Sequence, residues 1–185
     1  MVKDVIHDAE TRMKRSIEAT REALSTIRTG VAHAALLSPI TVDVYGSKMR
    51  ISEVATISVP EPRTLMITPW DKGIVPDIER AILTSELGLT PSSDGAIIRL
   101  HIPPLTEERR KELVKGVGKR VEEGKVAVRN IRRDANEMLK ELEKAKEISE
   151  DDTHRGQEEI QKATDAAIKE LDALRAAKEK ELMQV

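Results

Sequence analysis

Residues 107–146 read EERRKELVKGVGKRVEEGKVAVRNIRRDANEMLKELEKAK. Within and along this stretch Leu113, Val117, Val121, Gly124, Val128, Ile131, Ala135, Met138 and Leu142 recur in steps of three and four. That rhythm draws one apolar stripe along an α-helix and leaves the other faces to charged residues. Thr106 is placed to cap the start, and Glu107 and Glu108 suit the positive end of the helix dipole. A helix over these residues would be about 60 Å long at 1.5 Å per residue. So narrow a stripe is buried only against other helices of the same kind.

Two such helices flank it. Ile6, Ala9, Met13, Ile17, Thr20, Leu24 and Ile27 keep the same rhythm near the start of the chain, with Gly30 as the expected C-terminal cap. After KEISEDD (146–152), Ser149 can cap a third helix whose stripe is Ile160, Thr164, Ala167, Leu171 and Leu174. Three stripes facing inward make a three-helix bundle. Gly116, Gly118 and Gly124 each cost about 1 kcal/mol against Ala in a helix interior, so the early turns of the long helix are expected to be its softest part.

All eight prolines lie between Pro39 and Pro104, which sets the middle of the chain apart from both flanks. Ile40, Val42 and Val44 alternate before a turn at Tyr45-Gly46-Ser47. Short β-rich runs follow in MRISEVATISV and TLMITPW. PDIERAILTSELG reads as a helix with Pro76 near its start and Gly88 past its end, and AIIRLHI reads as a closing strand. The expected fold is α+β with two domains. Residues 1–30 plus 105–185 form the bundle, and residues 31–104 form a small β/α/β module inserted between helices one and two. The chain crosses between them near 30–31 and 103–106, so Gly30, Val31, Pro103, Pro104 and Leu105 are the expected hinge residues.

Charged residues make up 35% of the chain, and its aromatic residues are Tyr45 and Trp70. Disorder is the rival explanation of so much charge, but regular apolar stripes run through the charged segments. There is no cysteine, so a thiolate metal site or disulfide framework is excluded and a reducing, cytoplasmic location is expected. No apolar run approaches the roughly 18 residues of a membrane span, and the opening MVKDVIHDAETRMKR lacks a signal-peptide core. His7, His33, His101 and His154 are scattered without metal-ligand spacing, and YGSKMR lacks the spacing of a phosphate loop. No catalytic residue, metal or cofactor is expected. Trp70 in TPWDKG reads as a loop residue packed on the small module, with a surface anchor for a partner as the sharper alternative.

The formal net charge of −2 conceals a segregation. Residues 109–140 carry 11 Lys and Arg against 5 Asp and Glu, whereas residues 141–185 carry 8 against 13. Inside the basic block lies VRNIRRDA (128–135), where Arg129, Arg132 and Arg133 crowd together: Arg129 and Arg133 point nearly opposite the apolar stripe, with Lys125, Asn136 and Lys140 on that outer side, and Arg132 lies on the flank. The bland reading is a solvated face laced with ion pairs three and four residues apart. Neither Arg129 nor Arg132 has an acid at those spacings, and Arg133 has only Glu137. Lys125, Arg129 and Arg133 form a ladder of like charge. A polyanion outside the chain is therefore the expected counterpart. Arginine's planar fork suits phosphate, and the shortage of aromatics argues against stacking of single-stranded bases. What remains is the backbone and shape of folded RNA or of a duplex. The opposite arrangement, a helical scaffold binding a protein through its acidic C-terminal helix, is the alternative.

Five motifs, TIRTG (26–30), PPLTEERRKELVK (103–115), VRNIRRDAN (128–136), KEISEDD (146–152) and TDAAIK (164–169), resemble those of the bacterial ribosome-recycling factor family in order and spacing. Val31 is a departure, standing where the family often carries a basic residue. The resemblance implies an L-shaped pair of domains and a non-enzymatic role in translation. On this reading the chain binds the post-termination ribosome through large-subunit ribosomal RNA. With elongation factor G and that partner's GTP hydrolysis, it splits the ribosome so that messenger RNA and deacylated transfer RNA leave. The implied RNA contacts are Arg129, Arg132 and Arg133, then Arg28 and Arg110 from the matched motifs, with Lys125 added from the basic face. A monomer with neither a membrane nor a small-molecule substrate as partner is expected.

Overall fold

The computed structural model describes residues 1–184 and resolves into two compact units, Met1–Thr29 with Thr106–Gln184, and Gly30–Leu105. In the first unit, helices α1 (Val2–Ser25), α4 (Glu107–Lys144) and α5 (Glu150–Met183) pack pairwise into a three-helix bundle. Their stripes supply its core, including Met13 from α1, Val121, Val128 and Leu139 from α4, and Ile160 and Leu171 from α5. The buried hydroxyls of Thr20 and Thr164 donate to carbonyls of their own helices, Ser16 at 3.0 Å and Ile160 at 2.8 Å, so neither is stranded in the core.

The stripe of α4 departs from expectation at its end. Leu139 is fully buried and Met138 is 50% exposed, because a step of four from Ala135 meets the partners better than a step of three. Helix α1 stops at Ser25, five residues before Gly30. The hydroxyls of Ser25 and Thr26 donate to the carbonyls of Glu22 and Ala23, at 2.6 and 2.8 Å, and compete with the helical ladder there. Gly30 nevertheless needs its identity, since its φ is +74°.

The glycines of α4 are unlike one another. Nothing lies within 4 Å of where a Cβ on Gly116 would stand, and Gly118 faces the Arg175 guanidinium. Gly124 is buried where α1 and α5 both press on α4, so it is a contact residue and not a soft spot.

Helix α5 starts as its sequence requires. The Ser149 hydroxyl accepts from the Asp152 amide at 3.1 Å, and the Asp152 carboxylate accepts from the Ser149 amide at 3.3 Å. The bond from the Ser149 hydroxyl also holds the Asp152 carboxyl below the usual carboxylate range. This contribution is therefore present at neutral pH and lost as pH falls through the lowered value. Ser149→Ala should cost the bundle about 1 kcal/mol in urea unfolding.

The second unit begins with a hairpin of β1 (Thr41–Val44) and β2 (Ser47–Arg50), closed by Tyr45 and Gly46 at φ +49° and +86°. Positive φ at both positions is the twist a two-residue hairpin turn requires. A one-turn helix α2 (Ile51–Val54) interrupts what the sequence presents as β-rich, and leads into an antiparallel sheet. Its order is β3 (Ala55–Glu61), β4 (Thr64–Pro69), β6 (Ile98–His101) and β5 (Pro91–Ser93). Leu65 stands opposite Leu100 and Ile67 opposite Ile98, which puts all four on the buried face. Helix α3 (Val75–Leu83) covers that core with Ile78 and Ile82 and ends at Thr84, four residues short of Gly88. The Thr84 hydroxyl donates to the Arg80 carbonyl at 2.9 Å at this end.

Neither aromatic residue belongs to a core. Trp70 is 69% exposed and donates from its indole to the Thr56 hydroxyl at 3.2 Å, contrary to the expectation of a packed loop residue. Tyr45 is 82% exposed and donates to the Asp71 carboxylate, which lowers the Asp71 pKa and raises that of the phenol.

Candidate nucleic-acid interface

Helix α4 is rigid where the basic residues lie, because Val121, Val128, Ile131 and Ala135 anchor one side of it in the core. What the remaining side offers depends on which charges are already neutralised.

Lys125 is not part of the outward face. Its side chain is 15% exposed and its ammonium pairs with Asp172 of α5, so it belongs to the α4–α5 contact. Arg129 also finds a carboxylate, contrary to the count of neighbours three and four residues away. Its guanidinium donates to Glu122 at 3.1 Å, across a spacing of seven residues. Seven residues are almost two full turns, so both side chains stand on one face and can meet if each extends along the axis. The expected like-charge ladder of Lys125, Arg129 and Arg133 is thus relieved at two of its three rungs.

Arg132 and Arg133 differ. Among the described residues neither makes an ion pair, with Arg132 half-buried and Arg133 exposed. The acid adjacent in sequence, Asp134, is turned to the other side and held by Arg12 of α1 at 3.1 Å. Two guanidinium groups without carboxylates therefore stand in the C-terminal half of a long, well-anchored helix.

The other candidate residues do not join them. Arg110 lies in the first turns of α4, about 33 Å from Arg132 along the axis at 1.5 Å per residue. It is half-buried, and its Nε is buried without a hydrogen-bond partner. Helix α1 runs antiparallel to α4, with Thr20 against Gly124 and Arg12 against Asp134. Arg28, exposed beyond the end of α1, therefore lies toward the Gly116–Val121 end of α4 and not beside Arg132. Glu122 and Asp172 were missed from sequence: Glu122 has a readable signal in its spacing of seven from Arg129, whereas Asp172 sits on another helix and has none.

Among the described residues no group of three or more His, Asp or Glu side chains converges as a metal site, and no helix is long and apolar enough to cross a membrane.

The comparisons with known proteins agree with one another. The ribosome recycling factor family model matches residues 20–183. The ribosome-recycling factor of Symbiobacterium thermophilum is 57% identical, and that of Syntrophomonas wolfei 56%, each over the whole of both chains. A solution structure of a ribosome recycling factor superposes with a TM-score of 0.80 at 47% identity, covering all of this chain and 98% of the other. The T. thermophilus factor, in a model with E. coli elongation factor G bound to the E. coli post-termination complex, is 43% identical over the whole of both chains, with a TM-score of 0.67. With these matches spanning both the bundle and the small unit, the chain belongs to the ribosome recycling factor family.

Proposed function

We propose that this chain binds the post-termination ribosome through large-subunit ribosomal RNA, using Arg132 and Arg133 as its leading contacts and Arg129 beside them. With elongation factor G it splits the ribosome into subunits, so that messenger RNA and deacylated transfer RNA leave. The chain acts in the cytoplasm as a monomer and has no active site, the GTP being hydrolysed by its partner. The observation that carries this reading is the pair of uncompensated guanidinium groups on a rigid helix, in a family one of whose members has been placed with elongation factor G on a post-termination complex. Planar guanidinium forks present paired donors to phosphate oxygens, and a helix held in a bundle keeps them in register without an ordering cost.

Arg28 and Arg110 are secondary contacts on this reading, toward the far end of α4. The small unit faces elongation factor G and swings about Gly30, Val31, Pro103, Pro104 and Leu105. In support, Gly30 has a backbone conformation that L side chains rarely adopt, and a Cβ there would stand 3.1 Å from the Leu105 Cγ, so the two chain crossings lie side by side.

The scaffold alternative has less support. Several acids of α5 are engaged within the bundle, with Asp172 on Lys125, Glu170 on Arg21 at 3.3 Å and Glu179 on Arg175 at 2.9 Å. An acidic helix whose charges are satisfied at home is a poor bait for a basic partner.

The test is sedimentation with 70S and 50S particles over a salt series. Co-sedimentation should fall steeply as salt rises, because released counterions supply much of the binding free energy. Absence of co-sedimentation at any salt, or binding indifferent to it, would overturn the proposal.

A further inference from the structure

We infer that Glu122 is a positioning residue for the RNA-binding face: in the free protein it occupies Arg129 as a phosphate would, and it surrenders that arginine on binding. The inference rests on the function proposed above and concerns a residue outside the arginine cluster.

The geometry is specific. Helix side chains lean toward the N-terminus, so Arg129 leans back over the turn that holds Lys125 and reaches Glu122 two turns away. Lys125, which lies between the two in sequence, has its ammonium paired with Asp172 of α5. Both members of the Arg129–Glu122 pair remain accessible, with side chains 41% and 58% exposed. The pair is therefore open to exchange, as a buried one would not be. Arg175, whose charge Glu122 also feels, has its own carboxylate in Glu179 at 2.9 Å, so it does not depend on Glu122.

Two consequences follow from charge. Glu122 fixes the Arg129 side chain on the outer face, which lowers the rotamer entropy lost when a phosphate takes over. It also competes with that phosphate and repels it, which lowers affinity and favours release. A factor that must leave the ribosome after each round gains from the second effect.

Replacing the carboxylate by an amide of the same shape separates the two. In Glu122→Gln the amide oxygen can still accept from Arg129, while the competing charge is gone. Binding to purified 50S particles at fixed salt should tighten about fivefold, the worth of one exposed ion pair of about 1 kcal/mol. Glu123→Gln is the control, since it removes the same charge one residue away from a looser pair with Arg120 at 3.7 Å. It should change affinity less than about twofold. In an Arg129→Gln background the Glu122→Gln effect should vanish, because the arginine through which it acts is absent.

Equal gains from Glu122→Gln and Glu123→Gln would show a general charge effect and overturn the inference. So would no gain at all, or a gain that persists without Arg129. Failure of the unmodified protein to bind 50S particles would instead overturn the function proposed above.

Discussion

Arg132→Glu should weaken binding to the 50S particle by about 3 kcal/mol or more, upward of a hundredfold, with helicity and melting temperature unchanged. A charge-assisted hydrogen bond to phosphate carries roughly 1.5–3 kcal/mol, and reversing the charge adds repulsion from neighbouring phosphates. The folded state loses nothing comparable, since Arg132 makes no ion pair among the described residues. The introduced carboxylate would also sit three residues from Arg129, near enough to draw that guanidinium inward and away from RNA. Arg109→Glu is the matching control. Arg109 is already paired with Glu112 at 3.0 Å near the start of α4, so its reversal should cost binding far less. Equal 50S affinity for Arg132→Glu and the unmodified protein, measured by filter binding or sedimentation, would remove the arginine face as the basis of function.

The second large effect is on the fold. Gly124→Leu should destabilise the bundle by roughly 3 kcal/mol, a substantial part of the 5–15 kcal/mol that holds an ordinary domain together. Leu is among the best helix formers, so local propensity would improve and any loss must come from packing. A Cβ on Gly124 would stand 2.5 Å from the Thr20 hydroxyl oxygen and 3.3 Å from a Leu171 methyl. Thr20 cannot turn aside without giving up its bond to the Ser16 carbonyl, and Leu171 is fully buried. At Gly156 a Cβ would stand 2.8 Å from a methyl of Leu139, which is also fully buried, and 3.1 Å from one of Val2, so the same change there should cost a comparable amount. Gly116→Ala should do the opposite and stabilise by about 0.5–1 kcal/mol, because open space surrounds that position and only helix propensity changes. Urea unfolding of the three variants tests the order. A Gly124→Leu protein as stable as the parent would mean that the helices separate easily at this contact.

Much of this molecule is legible along the chain. The stripes of α1, α4 and α5, the Thr106 and Ser149 caps, and the Tyr45-Gly46 turn all follow from spacing and from the backbone preferences of single residues. Boundaries are less secure. Gly30 and Gly88 look like helix caps, yet Ser25-Thr26 and Thr84 end their helices earlier through hydroxyls that bond to nearby carbonyls. The strand Pro91–Ser93 is invisible to periodicity because it is three residues long and its conformation is set by pairing with Ile98–Leu100.

The candidate site divides along the same line. The basic crowd at 125–133 is plain in sequence, but its state of neutralisation is not. Lys125 is taken by a carboxylate forty-seven positions later, Arg129 by one two turns earlier, and the Asp134 beside Arg133 by an arginine of α1. Sequence alone determined the helices, the proline-marked insertion and the location of the positive charge, because repeats, breakers and composition act over a few neighbouring residues. Tertiary structure decided that, within the 125–133 crowd, Arg132 and Arg133 are left without an ion pair among the described residues, and which glycine is a contact, because ion pairing and close packing depend on distance through space, and folding brings together residues that the chain order keeps apart.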